Sequence, residues 1–283
     1  MQIGFWGPLR LRKGMCHGII PDPKLGQGAD AYIRAQGRIA VQLEQAASKG
    51  LRHLIVSDEN MLGLMRQNFS AQSLYAATGE RIARFTGAYG GSVKAIHLSV
   101  RCPSEYWTSA LSFCIPRGVL VPQAARLEAL AQSRRSWRDV ITDIAAAAPN
   151  AQIYVSTYEQ HGSAPERLLS YLMGQSMPAQ QTQIWRNKRP SAQELLRLPL
   201  GVTEIQRLKE RIFDTRWDPF SSAQKAKMQE QYTDDLFWLR AGADGLAHLL
   251  EDPKSEKTGY PAQMDFVNKG QSYDTRQRLA RYR

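Results

Sequence analysis

The sequence has few cysteines and no long apolar run. Its three cysteines, Cys16, Cys102 and Cys114, form no CxxC pair and have no histidine at zinc-ligand spacing, so they predict free thiols rather than a disulfide framework or a zinc site. No window approaches the ~18 uninterrupted apolar residues of a membrane span. The N-terminus MQIGFWGP lacks the charged-then-apolar order of a signal peptide. We therefore expect a cytoplasmic protein with no membrane span and no metal.

Acidic residues are also in the minority. The 37 Lys and Arg against 26 Asp and Glu give a net charge of +11, which attracts anions such as nucleic acid, acidic lipid or a phosphorylated cofactor. Much of this charge is dispersed, in Arg134-Arg135, in residues 186–189 and in the tail 276–283, and it is typical of solvated helix faces. A basic nucleic-acid-binding protein is one alternative. The absence of a recognisable DNA- or RNA-binding motif counts against it.

Apolar segments of strand length alternate with helical segments over the first 170 residues. Glycines and prolines punctuate residues 7–31, which predicts a long irregular loop. Alternating strands and helices predict an α/β fold with a parallel sheet covered by helices. The predicted strands span 51–56, 93–100 and 151–158, and the predicted helices span 29–49, 73–87, 104–113 and 134–148.

Beyond residue 165 the signals are helical only. They cover residues 166–173, 192–198, 202–213 and 221–250. In the last segment, Ser221 or Ser222 can cap the helix, and a stripe of apolar residues predicts core packing. That stripe is Met228, Tyr232, Leu236 and Leu239. We predict one domain over residues 1–250 with a helical C-terminal part, and a polar, basic tail over residues 251–283.

Polar side chains follow each predicted strand. Asp58 and Glu59 follow the first, Arg101 the second and Glu159 the third, and ligands of open α/β sheets bind beyond the carboxyl ends of their strands. We expect these side chains near one edge of one sheet. Ser109 follows Arg101 by eight residues, so a guanidinium and a helical hydroxyl can grip one phosphate. A surface arginine and an interior serine at an ordinary helix start are the alternative.

The segment KAIHLSVRCPSEYWTSALSF, residues 94–113, resembles the 3′-phosphate-binding segment of sulfotransferases that use 3′-phosphoadenosine 5′-phosphosulfate (PAPS). Three other segments resemble bacterial sulfotransferase-like proteins, and the likeness spans roughly residues 50–250. They are SDENMLG (57–63), QIYVSTYE (152–159) and FDTRWDPFSSAQKAKMQEQYTDDLFWL (213–239).

This resemblance implies a P-loop nucleotide-binding superfold and transfer of a sulfuryl group from PAPS to a hydroxyl of a carbohydrate or other small acceptor. It places Arg101 and Ser109 on the 3′-phosphate. It also places a catalytic carboxylate near Glu59, with Asp58 beside it, whereas both could instead cap the next helix. His97 lies in an apolar strand, which favours a core role. His17 could touch substrate, although nothing local supports that.

The chain departs from the family at its start. A phosphosulfate-binding loop with a Lys and following Ser or Thr is missing from the first 50 residues, and the nearest candidate is Gly7 to Gly14 with Lys13. Either the sequence begins downstream of that loop, in which case we expect a poorly soluble or oligomeric chain, or the loop has been lost. A non-catalytic anion-binding protein on the same scaffold is then the rival function. Alternatively, Gln2 to Trp6 forms the strand, and Lys13 faces the anion site beside Arg101.

Overall fold

The computed structural model describes residues 2–21, 30–162, 164–177 and 189–251. The predicted tail lies, from residue 252 onward, outside the described residues, as do Arg186 and Lys188 of the basic run. No helix in the described ranges is long and apolar enough to cross a membrane.

The described residues form seven strands and twelve α-helices. The strands are β1 (Ile3–Trp6), β2 (His53–Val56), β3 (Ala95–Val100), β4 (Gln152–Thr157), β5 (Ile212–Phe213), β6 (Arg216–Trp217) and β7 (His248–Leu250). The helices are α1 (Pro8–Arg10), α2 (Asp30–Ser48), α3 (Met65–Ala71), α4 (Thr78–Ala88), α5 (Pro103–Cys114), α6 (Ala124–Ala131), α7 (Trp137–Ala147), α8 (Tyr158–His161), α9 (Pro165–Met173), α10 (Ala192–Leu196), α11 (Val202–Lys209) and α12 (Ser222–Arg240).

The parallel, helix-covered α/β architecture predicted from the sequence is confirmed, but its strands form two parallel sheets. β1 pairs with β2, while β4 lies between β3 and β7. The prediction that β2, β3 and β4 are neighbours in one sheet was therefore wrong. The partner of β2 is Ile3–Trp6, a strand that the sequence offered only as an alternative. The small pair β5 and β6 is antiparallel.

Each parallel sheet has its own hydrophobic cluster, and α4 contributes to both. Trp6 and Ile39 belong to the cluster around β1 and β2, whereas Val155 and Ile144 belong to the larger cluster around β3 and β4. Ile82 of α4 faces the larger cluster, and Ala88 at the end of that helix faces the smaller one. The amphipathic helix α4 thus fixes the two sheets relative to each other.

Helices α2, α4 and α7 pack side by side as the layer that covers the strands. Two polar contacts support that packing. The Tyr32 hydroxyl of α2 donates to the carbonyl of Arg84 on α4 over 3.0 Å, and the Thr86 hydroxyl of α4 lies 3.5 Å from the carbonyl of Ala147 at the end of α7. Both contacts involve α4, so the two sheets share one covering layer.

The prediction of an irregular loop over residues 7–31 was wrong for its first part. α1 begins at Pro8, where the fixed proline φ suits a first helical turn, and a π-helical turn over Leu11–Met15 continues it. Gly14 has a φ of 113°, a value that favours glycine, and the helical path ends there. Residues 22–29 lie outside the described ranges.

Several predicted helix boundaries were also wrong. The helix predicted from residue 73 begins at Thr78, and α3 and α6 were not predicted. The helix predicted to reach residue 213 ends at Lys209, and the one predicted to reach residue 250 ends at Arg240. Gly242, with a φ of 99°, follows the end of α12, and β7 was missed because a strand of three residues carries little periodicity.

Two expectations for α12 are confirmed. The Ser221 hydroxyl accepts a hydrogen bond from the Gln224 backbone N–H and caps the helix. Three members of the predicted apolar stripe are buried, and Leu236 packs against them.

Candidate functional site

Arg101 leads from the end of β3 into α5. Its guanidinium lies over the ring of Tyr158, with its carbon 4.6 Å from the ring centroid. Nη2 lies 3.2 Å from a carboxylate oxygen of Glu105. The Arg101 carbonyl accepts a hydrogen bond of 2.6 Å from the indole of Trp137. These contacts hold a partly exposed cation at the carboxyl end of a parallel strand.

Glu105 lies between the two residues predicted to hold a phosphate. Arg101, Glu105 and Ser109 are spaced by four residues, so Glu105 and Ser109 share one side of α5. Ser109 is half-buried, and within the described residues no hydrogen bond joins it to Arg101. An anion that binds Arg101 therefore competes with the Glu105 carboxylate.

Glu159 already occupies the start of α5. Its carboxylate accepts a hydrogen bond from the Cys102 backbone N–H over 3.1 Å and another from the Tyr232 hydroxyl over 3.0 Å. Burial raises the pKa of Tyr232, and the charge of Glu159 raises it further, so this phenol stays protonated. The structure thus brings Glu159 and Arg101 to one edge, as expected, with Glu159 capping the helix.

Arg189 lies within electrostatic range of Arg101 and Glu105. Burial lowers the pKa of Arg189; the carboxylates of Glu105 and Asp218 oppose this effect, and the positive charges of Arg216 and Arg101 add to it. Arg189 also donates to the Trp217 carbonyl. We call Arg101, Arg189 and Arg216 the arginine cluster, whose charge Glu105 and Asp218 partly offset.

Asp58 and Glu59, which follow β2, are both paired with Arg12 from the turn after β1. Arg12 donates to both oxygens of Asp58, over 2.9 and 2.7 Å, and its Nη2 lies 2.7 Å from Glu59. The hydrogen bond to Asp58 raises the pKa of Arg12 most, and the hydrogen bond to Glu59 raises it further. The Asp58 side chain is only 8% exposed, whereas that of Glu59 is 48% exposed.

A cavity of about 400 Å³ opens beside this ion-pair network. Its polar lining comprises Arg12, Cys16, His17, Asp58, Asn60 and Arg81, and its apolar lining includes Leu11, Met61 and Phe85. Asp58 therefore faces a cavity that a ligand can enter, whereas Glu59 does not line this cavity. This position, beyond the carboxyl ends of two parallel strands, is where open α/β sheets bind ligands.

Aromatic side chains connect the two strand ends. Burial raises the pKa of Tyr75, and the negative charge of Glu59 raises it further. The ring centroid of Tyr75 lies 6.0 Å from that of Trp137. Trp137 in turn donates to the Arg101 carbonyl. Within the described ranges Glu59 contacts Arg12 and not Arg101, so a single site containing both Glu59 and Arg101 stays a prediction.

A comparison with protein-family models, curated proteins and solved structures found no match to this chain. The chemistry of the arginine cluster and of the cavity is therefore the basis of the functional interpretation.

Lys13 lines a groove of about 950 Å³ between the turn after α1 and the side of α2, together with Arg10 and Arg38. Helical turns run from Pro8 to Arg12, and the backbone leaves the helical path at Lys13 and Gly14. Within the described residues no hydrogen bond or ion pair joins Lys13 to Arg101, and the alternative in which Lys13 faces the anion site stays a prediction.

The histidines and Cys16 contribute in different ways. His97 shares a hydrogen bond of 2.9 Å with the buried Ser156 hydroxyl, and burial together with the charge of His161 lowers the pKa of His97 to about 4. Its contacts are those of a structural residue. His17, which sequence reasoning could not place, lines the cavity. Burial raises the pKa of Cys16 to about 11, so this thiol is a weak nucleophile.

Sequence reasoning missed three arginines. Arg12 lies next to Lys13, and its pairing with Asp58, 46 residues away, has no local signal in the sequence. Arg81 lies on α4 without a motif around it. Arg189 belongs to a run of basic residues that was interpreted as a solvated face, whereas the structure half-buries it.

Proposed function

We propose that this chain is a sulfotransferase-like protein of the P-loop superfold that binds the 3′-phosphate of PAPS through Arg101 and Ser109. In the reaction, an acceptor hydroxyl gives its proton to a base, its oxygen bonds to sulfur, and the bond from sulfur to the 5′-phosphate breaks. Adenosine 3′,5′-bisphosphate is the leaving group.

The observation that carries this proposal is the position of Arg101. An arginine at the carboxyl end of a parallel strand, held over an aromatic ring and followed by a helix, presents a guanidinium that suits a phosphate. Its only described carboxylate partner is the exposed Glu105, and such a pair is weak enough for an anion to displace, at ~1 kcal/mol or less. Arg189 and Arg216 supply further positive charge, which Glu105 and Asp218 partly offset.

The acceptor side of the proposal uses the carboxylates after β2. Asp58 lines the cavity, so it is the better placed of the two to accept a proton from a bound hydroxyl. Glu59 remains the second candidate base. Either carboxylate acts as a base only after its pair with Arg12 loosens, since Arg12 engages both.

Calorimetric titration with adenosine 3′,5′-bisphosphate tests the phosphate site. Arg101→Ala should weaken binding by about 2 kcal/mol, because a charge-assisted, bidentate contact is lost. Arg117→Ala is the matched control, since Arg117 also lies over an aromatic ring but at the opposite end of α5. Equal affinity for adenosine 5′-phosphate and the bisphosphate would remove the reason for this assignment.

A non-catalytic anion-binding protein is the second candidate. Two observations favour it: Lys13 lines a groove that Arg101 does not line, and Arg12 holds both carboxylates. Release of adenosine 3′,5′-bisphosphate from PAPS in the presence of hydroxyl acceptors separates the candidates. Tight binding of the bisphosphate without acceptor-dependent release would support the second candidate over the first.

A further inference from the structure

The cavity contains a guanidinium that no carboxylate neutralises by contact. Arg81 is half-buried and donates to two backbone carbonyls, those of Met61 over 2.9 Å and Asn60 over 2.5 Å. No ion pair to Arg81 occurs within the described ranges. Burial lowers the pKa of Arg81, and the more distant charges of Glu80 and Asp58 oppose that effect. Its Nη1 amine makes no hydrogen bond to the residues that the structure describes.

Asp58 gives the same cavity a hydrogen-bond acceptor. One Asp58 oxygen accepts from the Asn60 backbone N–H over 2.8 Å, and both accept from Arg12, so the carboxylate is fixed in place. A carboxylate oxygen has capacity for more than one hydrogen bond. The Asn60 side chain, which also lines the cavity, offers both an amide donor and a carbonyl acceptor.

The lining of the cavity carries two guanidiniums, those of Arg12 and Arg81, against the single carboxylate of Asp58, which favours an anionic ligand. Arg12 is held in ion pairs with Asp58 and Glu59, whereas Arg81 has no carboxylate in contact and is partly desolvated, a setting in which a charge-assisted hydrogen bond is strong. Phe85 and Met61 add an apolar wall suited to the C–H face of a small ring. A volume of about 400 Å³ lies at the low end of the range for small-ligand pockets.

We propose that this cavity binds a hydroxylated carboxylate of monosaccharide size, such as a sugar acid. Arg81 holds the ligand carboxylate, and Asp58 and Asn60 accept hydrogen bonds from its hydroxyls. That this ligand is the sulfuryl acceptor rests on the proposed function, whereas its binding does not.

Calorimetric titrations with D-glucuronate, D-glucose and acetate separate the two halves of this recognition. Glucuronate should bind at least about tenfold more tightly than glucose, which lacks the carboxylate, or acetate, which lacks the hydroxyls. Arg81→Gln should weaken glucuronate binding at least about tenfold. Arg84→Gln is the matched control, because Arg84 lies on the same helix and donates to a backbone carbonyl but does not line the cavity.

A second measurement uses the unmutated chain. Cys16 is the one thiol that lines the cavity, whereas Cys102 and Cys114 are buried elsewhere. Because the raised pKa makes Cys16 a weak nucleophile, its alkylation by N-ethylmaleimide is slow and is followed by mass spectrometry over an extended time course at mildly alkaline pH. Saturating glucuronate should slow this alkylation several-fold further, and glucose at the same concentration should not. This readout stands even if Arg81→Gln fails to fold.

Three results would overturn the proposal: equal affinities for glucuronate and glucose, unchanged glucuronate binding in a folded Arg81→Gln variant, or no protection of Cys16. Binding of adenosine 3′,5′-bisphosphate is measured in the same samples and should be unaffected by Arg81→Gln. Glucuronate binding without bisphosphate binding would refute the proposed function and leave this cavity assignment intact. The reverse result would refute the cavity assignment alone.

Discussion

Replacing Glu105 by glutamine should strengthen the binding of adenosine 3′,5′-bisphosphate. Glu105 pairs with Arg101 at 3.2 Å, and the two side chains are 51% and 27% exposed. A bound phosphate displaces this pair, which costs ~0.5 kcal/mol for groups so exposed. The displaced carboxylate then stays on the same side of α5 and repels the phosphate by ~0.7 kcal/mol per charge pair at roughly 6 Å in water, and by more in a lower dielectric.

The two contributions amount to about 1–2 kcal/mol, which corresponds to an affinity gain of about 5- to 30-fold. Isothermal titration calorimetry at about 0.15 M salt measures it, and the gain should shrink as salt is raised. Glu80→Gln is the control, because Glu80 is an exposed glutamate in the first turn of another helix, α4. An unchanged or weaker affinity in Glu105→Gln would refute the competition and would mean that Glu105 positions Arg101.

Three other predictions concern the stability of the fold and the ring of Tyr158 beneath the Arg101 guanidinium. The pKa of His97 is about 4 in the folded protein and about 6.5 when unfolded, so unfolding takes up a proton between pH 4 and pH 6.5. The free energy of unfolding should therefore be largest above pH ~6.5 and fall by about 3 kcal/mol towards pH 4. Urea titrations should show that His97→Gln loses this pH dependence and that His248→Gln keeps it. Asp235→Ala should cost about 3 kcal/mol in the same assay and Asp234→Ala little, because buried Asp235 accepts hydrogen bonds from the start of α7. Tyr158→Leu should weaken bisphosphate binding about two- to fivefold, since the ring supports the Arg101 guanidinium.

Local patterns predicted the larger elements well. The helix after residue 29 and the strand from residue 93 were found because their apolar spacing repeats over many residues. A cap at Ser221 or Ser222 was predicted because serine is favoured before a helical run, and the structure places it at Ser221. The sequence also predicted that Arg101 and Glu159 meet at one edge, since parallel strands place their carboxyl ends together.

Short elements and long-range pairs were not accessible in the same way. β7 has three residues and joins the sheet through β4, nearly a hundred positions earlier in the chain. β2 pairs with β1, where Ile3 lies opposite His53, and not with β3, the next strand along the chain. Neither choice leaves a repeat in the local sequence.

The sequence by itself determined the α/β class, the main helices, and the positions of Asp58, Glu59 and Arg101 directly after strands. These properties depend on neighbours within a few residues, so the order of side chains encodes them. The packing of the chain in space established that Arg12 pairs with both Asp58 and Glu59, that Glu105 pairs with Arg101, and that Arg81 lines a cavity with no carboxylate in contact among the described residues. Electrostatic pairing is set by distances in space, and Asp58, one of the partners of Arg12, lies 46 positions along the chain from it.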